Sequence, residues 1–342
     1  MSENGAPAGT GASGHPLAGA RPALRFDIAL PDLGGRRALV TGGNSGLGFE
    51  TALRLAAAGA EVTITARSRQ KGVDAASRLR ALLQAAPDAR GAGRAGEIRL
   101  ASLDLADLRS IERFADDYSA AGHPLDLLVN NAGVMAVPRR TLTDDGFELQ
   151  FGTNHLGHFA ITGRLMPLLL RADAPRVVTL SSGAHWAGRL DFDDLQREHR
   201  YNAWAAYGQS KLANLVFAKE FARRSGALGW QITSVAAHPG FSRTNLQSSG
   251  PNLGRARPRR MLDRVTALPG FAQSAAEGAL PALFAATTPD ALGGDYFGPS
   301  GLLELSGLPG FAHVAKRAEN ERAARRLWAV SEELTGVLFP RD

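Results

Sequence analysis

The chain of 342 residues contains no cysteine, which excludes disulfides, thiolate metal ligands and a cysteine nucleophile. Lysine is scarce too: only four of the 39 basic residues are lysines, so arginine carries nearly all of the formal charge of +6. Long apolar runs are missing. The densest, LMPLLL at 165–170, is far shorter than the roughly 18 residues a membrane span requires, so no membrane span is expected. Residues 1–24 lack the basic and apolar regions of a secretory signal, and their Gly, Ala, Ser and Pro offer little to bury. They are expected to be a disordered extension of a cytoplasmic protein. A nucleic-acid partner is not expected, because 33 acidic residues interleave with the arginines and no basic stripe with aromatic spacing occurs. The local exception is GRARPRRMLDR at 254–264.

What is present is enough apolar material, 44% of residues, to fill a substantial core. Short β-branched runs alternate with longer Ala/Leu-rich segments. Strands are expected at about 37–41, 61–66, 97–105, 125–133, 176–182, 230–240 and 293–299. Helices are expected at about 46–58, 68–85, 106–121, 154–171, 203–224, 274–286 and 313–335. This order predicts an α/β fold: a Rossmann-type, doubly wound parallel sheet of about seven strands with helices on both faces. It would form one domain over 25–342, with ligands at the carboxyl ends of the strands.

The first β-α-β unit carries TGGNSGLG at 41–48. Glycine at 42, 46 and 48 allows a tight turn and lets a pyrophosphate approach the backbone, while the helix that follows presents free N–H groups and a positive dipole end. Gly42, Asn44, Ser45, Gly46, Leu47 and Gly48 are thus candidates for dinucleotide contact, with structural packing as the plainer alternative. No Gly-Lys-Ser/Thr follows, so the turn is not a P-loop. At the end of the second strand stand Ala66 and Arg67, with Arg69 nearby and no acid. An acid there would bind a ribose 2′-OH, whereas an arginine suits a 2′-phosphate, so NADP(H) is expected over NAD(H).

AYGQSKLAN at 206–214 places Lys211 four residues after Tyr207. At these abundances chance supplies such a pair only about 0.05 times per chain, although a lysine on a helix usually faces water. On a helix the two side chains share a face, so the ammonium could favour ionisation of the phenol. The histidines at 155, 158, 185 and 238 show no metal-ligand spacing and are expected to pack or to hold loops. No metal is expected.

Taken in order, Thr41-Gly-Gly-Asn-Ser-Gly-Leu-Gly48, Asp104-Leu105, Asn130-Asn-Ala-Gly133, Asn154, Ser182, Tyr207-x-x-x-Lys211 and His238-Pro-Gly240 followed by Thr244 resemble the short-chain dehydrogenase/reductase family over about 36–335. NHLGHF (154–159), LSSGAHW (180–186) and LWAVSEELTG (327–336) are similar to its retinol dehydrogenase-like and WW-domain oxidoreductase-like branch. The resemblance implies an NAD(P)-dependent oxidoreductase acting on a carbonyl or alcohol, bulky and apolar. Tyr207 would exchange the proton. Lys211 would assist it and hold the nicotinamide ribose, Ser182 would bind the substrate oxygen, and Asn154 would support a water-linked proton path. Strand alternation and the family motif favour Ser182 over Ser181. Asn154 also suits a helix N-cap, as does Asp104. The resemblance further implies that Asp104 and Leu105 contact adenine, that Asn130, Asn131, Ala132 and Gly133 border the adenosine ribose and support the central sheet, and that Pro239, Gly240 and Thr244 flank the nicotinamide amide. Ser182 and Tyr207 would contact substrate as well as serving in catalysis.

The gap of 24 residues between Ser182 and Tyr207 is longer than is common in the family. An insertion at about 183–204 is therefore expected to make an extra lobe, with Trp186, Phe192, Tyr201 and Trp204 available for an apolar wall. A second insertion, 245–272, occupies the position of a substrate lid, and its Arg255, Arg257, Arg259 and Arg260 could meet an anionic substrate or carrier or simply face solvent. The family often forms a homodimer through helices corresponding to 154–171 and 203–224, which the long insertion could instead cover, so the oligomeric state is left open. The competing readings are a noncatalytic dinucleotide-binding scaffold, an NAD-dependent alcohol dehydrogenase and a polyanion-binding protein.

Overall fold

Eight strands form one sheet in the computed structural model, which describes residues 28–85, 95–242 and 273–341. The N-terminal extension, Thr244, the lid at 245–272 and its arginines lie outside the described residues. The strands are β1 (Arg37–Val40), β2 (Glu61–Ala66), β3 (Ile98–Ser102), β4 (Leu127–Asn130), β5 (Arg176–Leu180), β6 (Thr233–Ala237), β7 (Tyr296–Pro299) and β8 (Pro309–Phe311). Their spatial order is β3-β2-β1-β4-β5-β6-β7-β8. The seven strands expected from the sequence all pair in parallel; β8 adds an antiparallel edge on β7. The windings run outward from β1 in one direction and from β4 in the other, which opens a crevice at their carboxyl ends.

Helices cover both faces. On one, α1 (Gly46–Ala57) and α2 (Arg69–Ala85) join α8 (Ala275–Gly278) and α9 (Leu280–Thr287) over a core of Val40, Leu55, Ile64, Leu79 and Leu283. On the other, α3 (Leu108–Ala120), α5 (Gly157–Arg164) and α7 (Ala203–Leu228) pack with the C-terminal α10 (Glu321–Thr335). Trp328 on α10 meets Phe159 on α5 and Phe339 in the tail, with ring centroids 5.2 and 4.5 Å apart. Such edge-on and tilted aromatic contacts add to simple area burial.

Three expected helices are interrupted, each for a local reason. The segment expected at 154–171 starts earlier, at α4 (Leu149–Phe151), where the Glu148 carboxylate caps the N–H groups of Gln150 and Phe151. It continues through a π-helical turn (Gly152–Leu156) into α5 and breaks at Leu165 before α6 (Met166–Leu169), because Pro167 has no N–H to continue the ladder. Pro281 similarly separates α8 from α9. α10 begins only at Glu321, where the Asn320 side chain accepts from the Ala323 N–H. In α7 every residue from 206 to 218 is buried, covered by the 183–204 segment on one side and α10 on another. Little of that helix remains for a second copy of the chain. Among the described residues no helix is long and apolar enough to cross a membrane.

Candidate active site

The turn after β1 and the start of α1 open onto a cavity of about 310 Å³ at the carboxyl end of the sheet. Gly42, Asn44, Ser45, Gly46, Leu47, Gly48, Arg67, Asp104, Leu105, Ala132 and Gly133, all expected from the sequence, line it. Gly42 has φ +65, a left-handed turn that a side chain would strain. Ser45 precedes α1 without capping it through its side chain, and Gly46, Leu47 and Gly48 bring the helix's first turn to the cavity wall. Uncapped N–H groups and a helix dipole suit a phosphate, so the cavity fits the pyrophosphate and adenosine end of a dinucleotide.

Asn130 does not reach this cavity. It is fully buried, and its amide donates to the Thr162 hydroxyl at 3.0 Å, tying β4 to α5. The reason is alternation along the strand: Asn131, the next residue, lines the cavity and donates to the Thr41 carbonyl at 2.7 Å. Asp104 is no helix cap; Asp107 caps α3 by accepting from the Arg109 N–H. Asp104 instead accepts from the Ala106 N–H at 3.0 Å and stands 3.9 Å from Arg67 at the cavity rim. Ser68 and Lys71 also line the cavity and had not been singled out. The signal for Lys71 was available, because it lies four residues after Arg67 at the start of α2.

Tyr207 and Lys211 occupy successive turns near the start of α7, where Asn202 caps the helix by accepting from Trp204 and Ala205. Both are buried, at 5% and 4% exposure. The Lys211 ammonium donates to the Leu180 carbonyl at 3.1 Å and lies 5.9 Å from the centre of the Tyr207 ring. Ser182, at the end of β5, accepts from the Ala184 N–H at 3.2 Å and stands beside the Tyr207 phenol, where it favours the ionised form. Its neighbour Ser181 turns the opposite way and donates to the Lys211 carbonyl at 2.8 Å. Asn154 sits inside the π-helical turn, so it caps nothing. Its side chain accepts from the Val134 N–H at 2.8 Å and donates to the Val134 carbonyl and to the Ser210 hydroxyl, each at 2.9 Å.

The phosphate cavity and this cluster meet at Gly133: a side-chain carbon there would lie 3.0 Å from the Asn154 oxygen and 3.7 Å from Lys211 Nζ. Pro239 and Gly240 follow β6 and do not line the cavity. His158, expected to pack or to hold a loop, bridges the two regions. Its Nδ1 must donate to the Asn154 carbonyl at 2.8 Å, so its Nε2 accepts from the Thr41 hydroxyl at 2.9 Å. Burial lowers the imidazole to about 4 and keeps it neutral. Among the described residues no cluster of three or more His, Asp or Glu could hold a metal ion.

One expectation is corrected. The ammonium was expected to make the phenol acidic, but burial dominates and pushes Tyr207 up to about 12, against the smaller pull of the neighbouring Ser182. The same burial pushes Lys211 down to about 8. Charged forms are costly here, and the lysine is turned toward the Leu180 carbonyl rather than the phenol oxygen. Of the four aromatics expected as a wall, Phe192 packs inward and Tyr201 donates to the Val137 carbonyl at 2.7 Å. Trp186 and Trp204 are half exposed, and Trp204 stands edge-on to Tyr207 with centroids 6.2 Å apart.

Sheet order, glycine turn and Tyr-Lys pair together define a dinucleotide-dependent oxidoreductase, and comparison with known proteins agrees. Residues 36–252 match the short chain dehydrogenase family. The chain is 40% identical to retinol dehydrogenase 14 of Mus musculus over 306 residues, 89% of this chain and 87% of the other. It is 39% identical to retinol dehydrogenase 13 of Homo sapiens over 309 residues, 90% and 86% of the two chains. A crystal structure of a Mycobacterium paratuberculosis protein superposes with a TM-score of 0.72 at 41% identity, covering 91% of this chain and 97% of that one. The Pseudomonas aeruginosa RhlG/NADP complex gives 0.58 at 27% identity, with 78% and 94% covered. The chain belongs to the short-chain dehydrogenase family and is an NAD(P)-dependent oxidoreductase.

Proposed function

We propose that the protein is a cytoplasmic, NADP(H)-dependent reductase of a carbonyl on a bulky apolar substrate, also able to oxidise the corresponding alcohol. The observation that carries this reading is that Lys211 and Asn154 meet beside Gly133, where the phosphate cavity ends, with the Tyr207 ring 5.9 Å from the Lys211 ammonium and Ser182 beside the phenol. A bound nicotinamide supplies the hydride that reduces the carbonyl carbon. Ser182 and Tyr207 donate hydrogen bonds to the carbonyl oxygen, and Tyr207 passes its proton to that oxygen as negative charge develops. Burial keeps the phenol protonated at neutral pH, the form a proton donor requires. Lys211 holds the ribose and, with Asn154, supports return of a proton to Tyr207.

An apolar substrate is supported by the surroundings of the phenol: Met135, Ala136, Ala184, Ala203 and the half-exposed Trp204. Retinoid-like and lipid-like aldehydes and ketones fit such a wall, and the names of the two dehydrogenase relatives agree with the first. Preference for NADP(H) is supported by Arg67 and Lys71 at the cavity rim and by the uncharged Ala66 at the end of β2.

The test is a panel of apolar aldehydes and ketones followed by loss of reduced-cofactor absorbance, with NADPH and NADH in parallel. NADPH should be preferred, and Arg67→Ala should raise its KM by about tenfold while leaving that for NADH within about twofold, as one lost charged contact of about 1.4 kcal/mol implies. Equal use of NADH by the wild-type protein would remove the cofactor assignment. Turnover of no carbonyl in the panel with either cofactor would remove the apolar-carbonyl assignment.

A further inference from the structure

Beyond the expected motif residues, one connection links the C-terminal part of the chain to the turn after β6. Between β7 and β8, Leu303 and Glu304 take left-handed φ values of 53° and 54°, a conformation that costs a non-glycine residue energy and persists only where surrounding contacts hold it. The contacts here belong to the Glu304 side chain. One carboxylate oxygen lies 2.9 Å from His238 Nε2; the other accepts from the His313 N–H at 2.7 Å and lies 2.6 Å from its ring Nδ1.

His238 is buried, at 1% exposure, and its Nδ1 lies 3.3 Å from the Gly240 nitrogen. A backbone N–H can only donate, so Nδ1 accepts, Nε2 carries the proton, and that proton goes to Glu304. The ring is packed closely on two sides: a side-chain carbon on Gly298 of β7 would collide with its Nε2, and the Tyr296 ring lies 5.2 Å away between centroids.

The same loop grips the Pro239–Gly240 turn directly. Gly240 has φ +63, and a side-chain carbon there would come within 2.5 Å of the Leu305 carbonyl. That carbonyl accepts from the Phe241 N–H at 2.7 Å. Gln273 donates to the Pro239 carbonyl at 3.0 Å and to the Leu305 carbonyl at 3.3 Å.

We infer that Glu304 is a positioning residue for cofactor binding, fixing the tautomer and orientation of His238 so that the Pro239–Gly240 turn is held in the shape that receives the nicotinamide amide. This rests on the proposed reading of Pro239 and Gly240 as the nicotinamide-flanking turn. Glu304 touches no reacting atom and acts through His238. Without its carboxylate the His238 Nε2–H is left with no acceptor on this loop, and the strained loop loses its anchor.

The test compares the affinities of NADPH and 2′-phospho-ADP-ribose, which lacks the nicotinamide, for wild-type protein, Glu304→Ala and Glu304→Gln. Glu304→Ala should weaken NADPH by about tenfold and leave 2′-phospho-ADP-ribose within twofold. Glu304→Gln retains an acceptor for His238 and should restore NADPH binding to within about threefold of wild type. If Glu304→Ala does not fold, Glu304→Asp, one methylene shorter, withdraws the acceptor with the charge kept and takes its place in the comparison. Unchanged NADPH affinity, or equal loss for both ligands, overturns the inference. Failure of the wild-type protein to bind either ligand counts instead against the cofactor reading on which it rests.

Discussion

Replacing Tyr207 with Phe should lower the reductive kcat by about 10² to 10⁴, the usual contribution of a positioned general acid, while NADPH affinity and folding stay near wild type. The expectation follows from how little else the hydroxyl does. The ring is buried and packs with Met135 and Ala136, contacts that Phe retains. Removing that oxygen takes away the proton donor and leaves the wall intact. Single-turnover reduction with saturating NADPH, alongside a thermal melt, separates the two effects. Unchanged turnover would show that another group carries the proton.

A second substitution should move activity and stability in opposite directions. Lys211→Met keeps the length of the side chain and deletes its charge; reductive kcat/KM should fall by about 10² or more, with a higher KM for NADPH. The protein should nevertheless melt at a higher temperature at pH 7. Burial holds the Lys211 ammonium at about 8 against 10.5 for an ordinary lysine, so between those values the folded chain binds fewer protons than the unfolded one and stability climbs as pH rises. Below about 8 the full cost, about 3 kcal/mol, is present. Methionine relieves it. The Leu180 carbonyl does not become an orphan, because Asn214 also donates to it at 2.9 Å. A net gain of about 1 to 3 kcal/mol is expected once the lost hydrogen bond is set against it, and the wild-type advantage of raising pH from 8 to 10 should shrink in the variant. Denaturant unfolding at two pH values measures both. Loss of stability in Lys211→Met would mean that the ammonium is held by more than one carbonyl.

Which parts of this site could be read from the sequence follows from the range of the interactions involved. The glycine turn and the Tyr207–Lys211 spacing are local: one depends on backbone geometry within a single β-α unit, the other on one helical turn, and both are found where they were expected. Ser182 and Ser181 separate by strand alternation, again a local effect. The interruptions at Pro167 and Pro281 were equally local and could have been read from the missing N–H groups.

What was illegible depends on contacts across the chain. Glu304 and His238 are 66 positions apart, and no pattern in either segment announces the other. His158 reaches Thr41 across 117 positions. Asn130 and Asn131 are indistinguishable until β4 is placed between two layers, after which one faces α5 and its neighbour the cavity. The direction of the Tyr207 shift is illegible for a related reason: spacing reveals a neighbouring amine, but not the burial that raises the phenol.

The central claim is that the Tyr207 phenol and the nicotinamide ring face a common substrate position, and a crystal structure of the NADPH complex tests it most directly. The account predicts the ring between Tyr207 and the Pro239–Gly240 turn, the pyrophosphate against Gly46–Gly48, and Lys211 Nζ within hydrogen-bonding distance of the ribose. It also predicts that the Tyr207 hydroxyl and the ring's hydride-donating carbon border a gap that would place a bound carbonyl about 3 to 3.5 Å from the reacting groups. A nicotinamide seated away from Tyr207, or a phenol turned out of that gap, would contradict it.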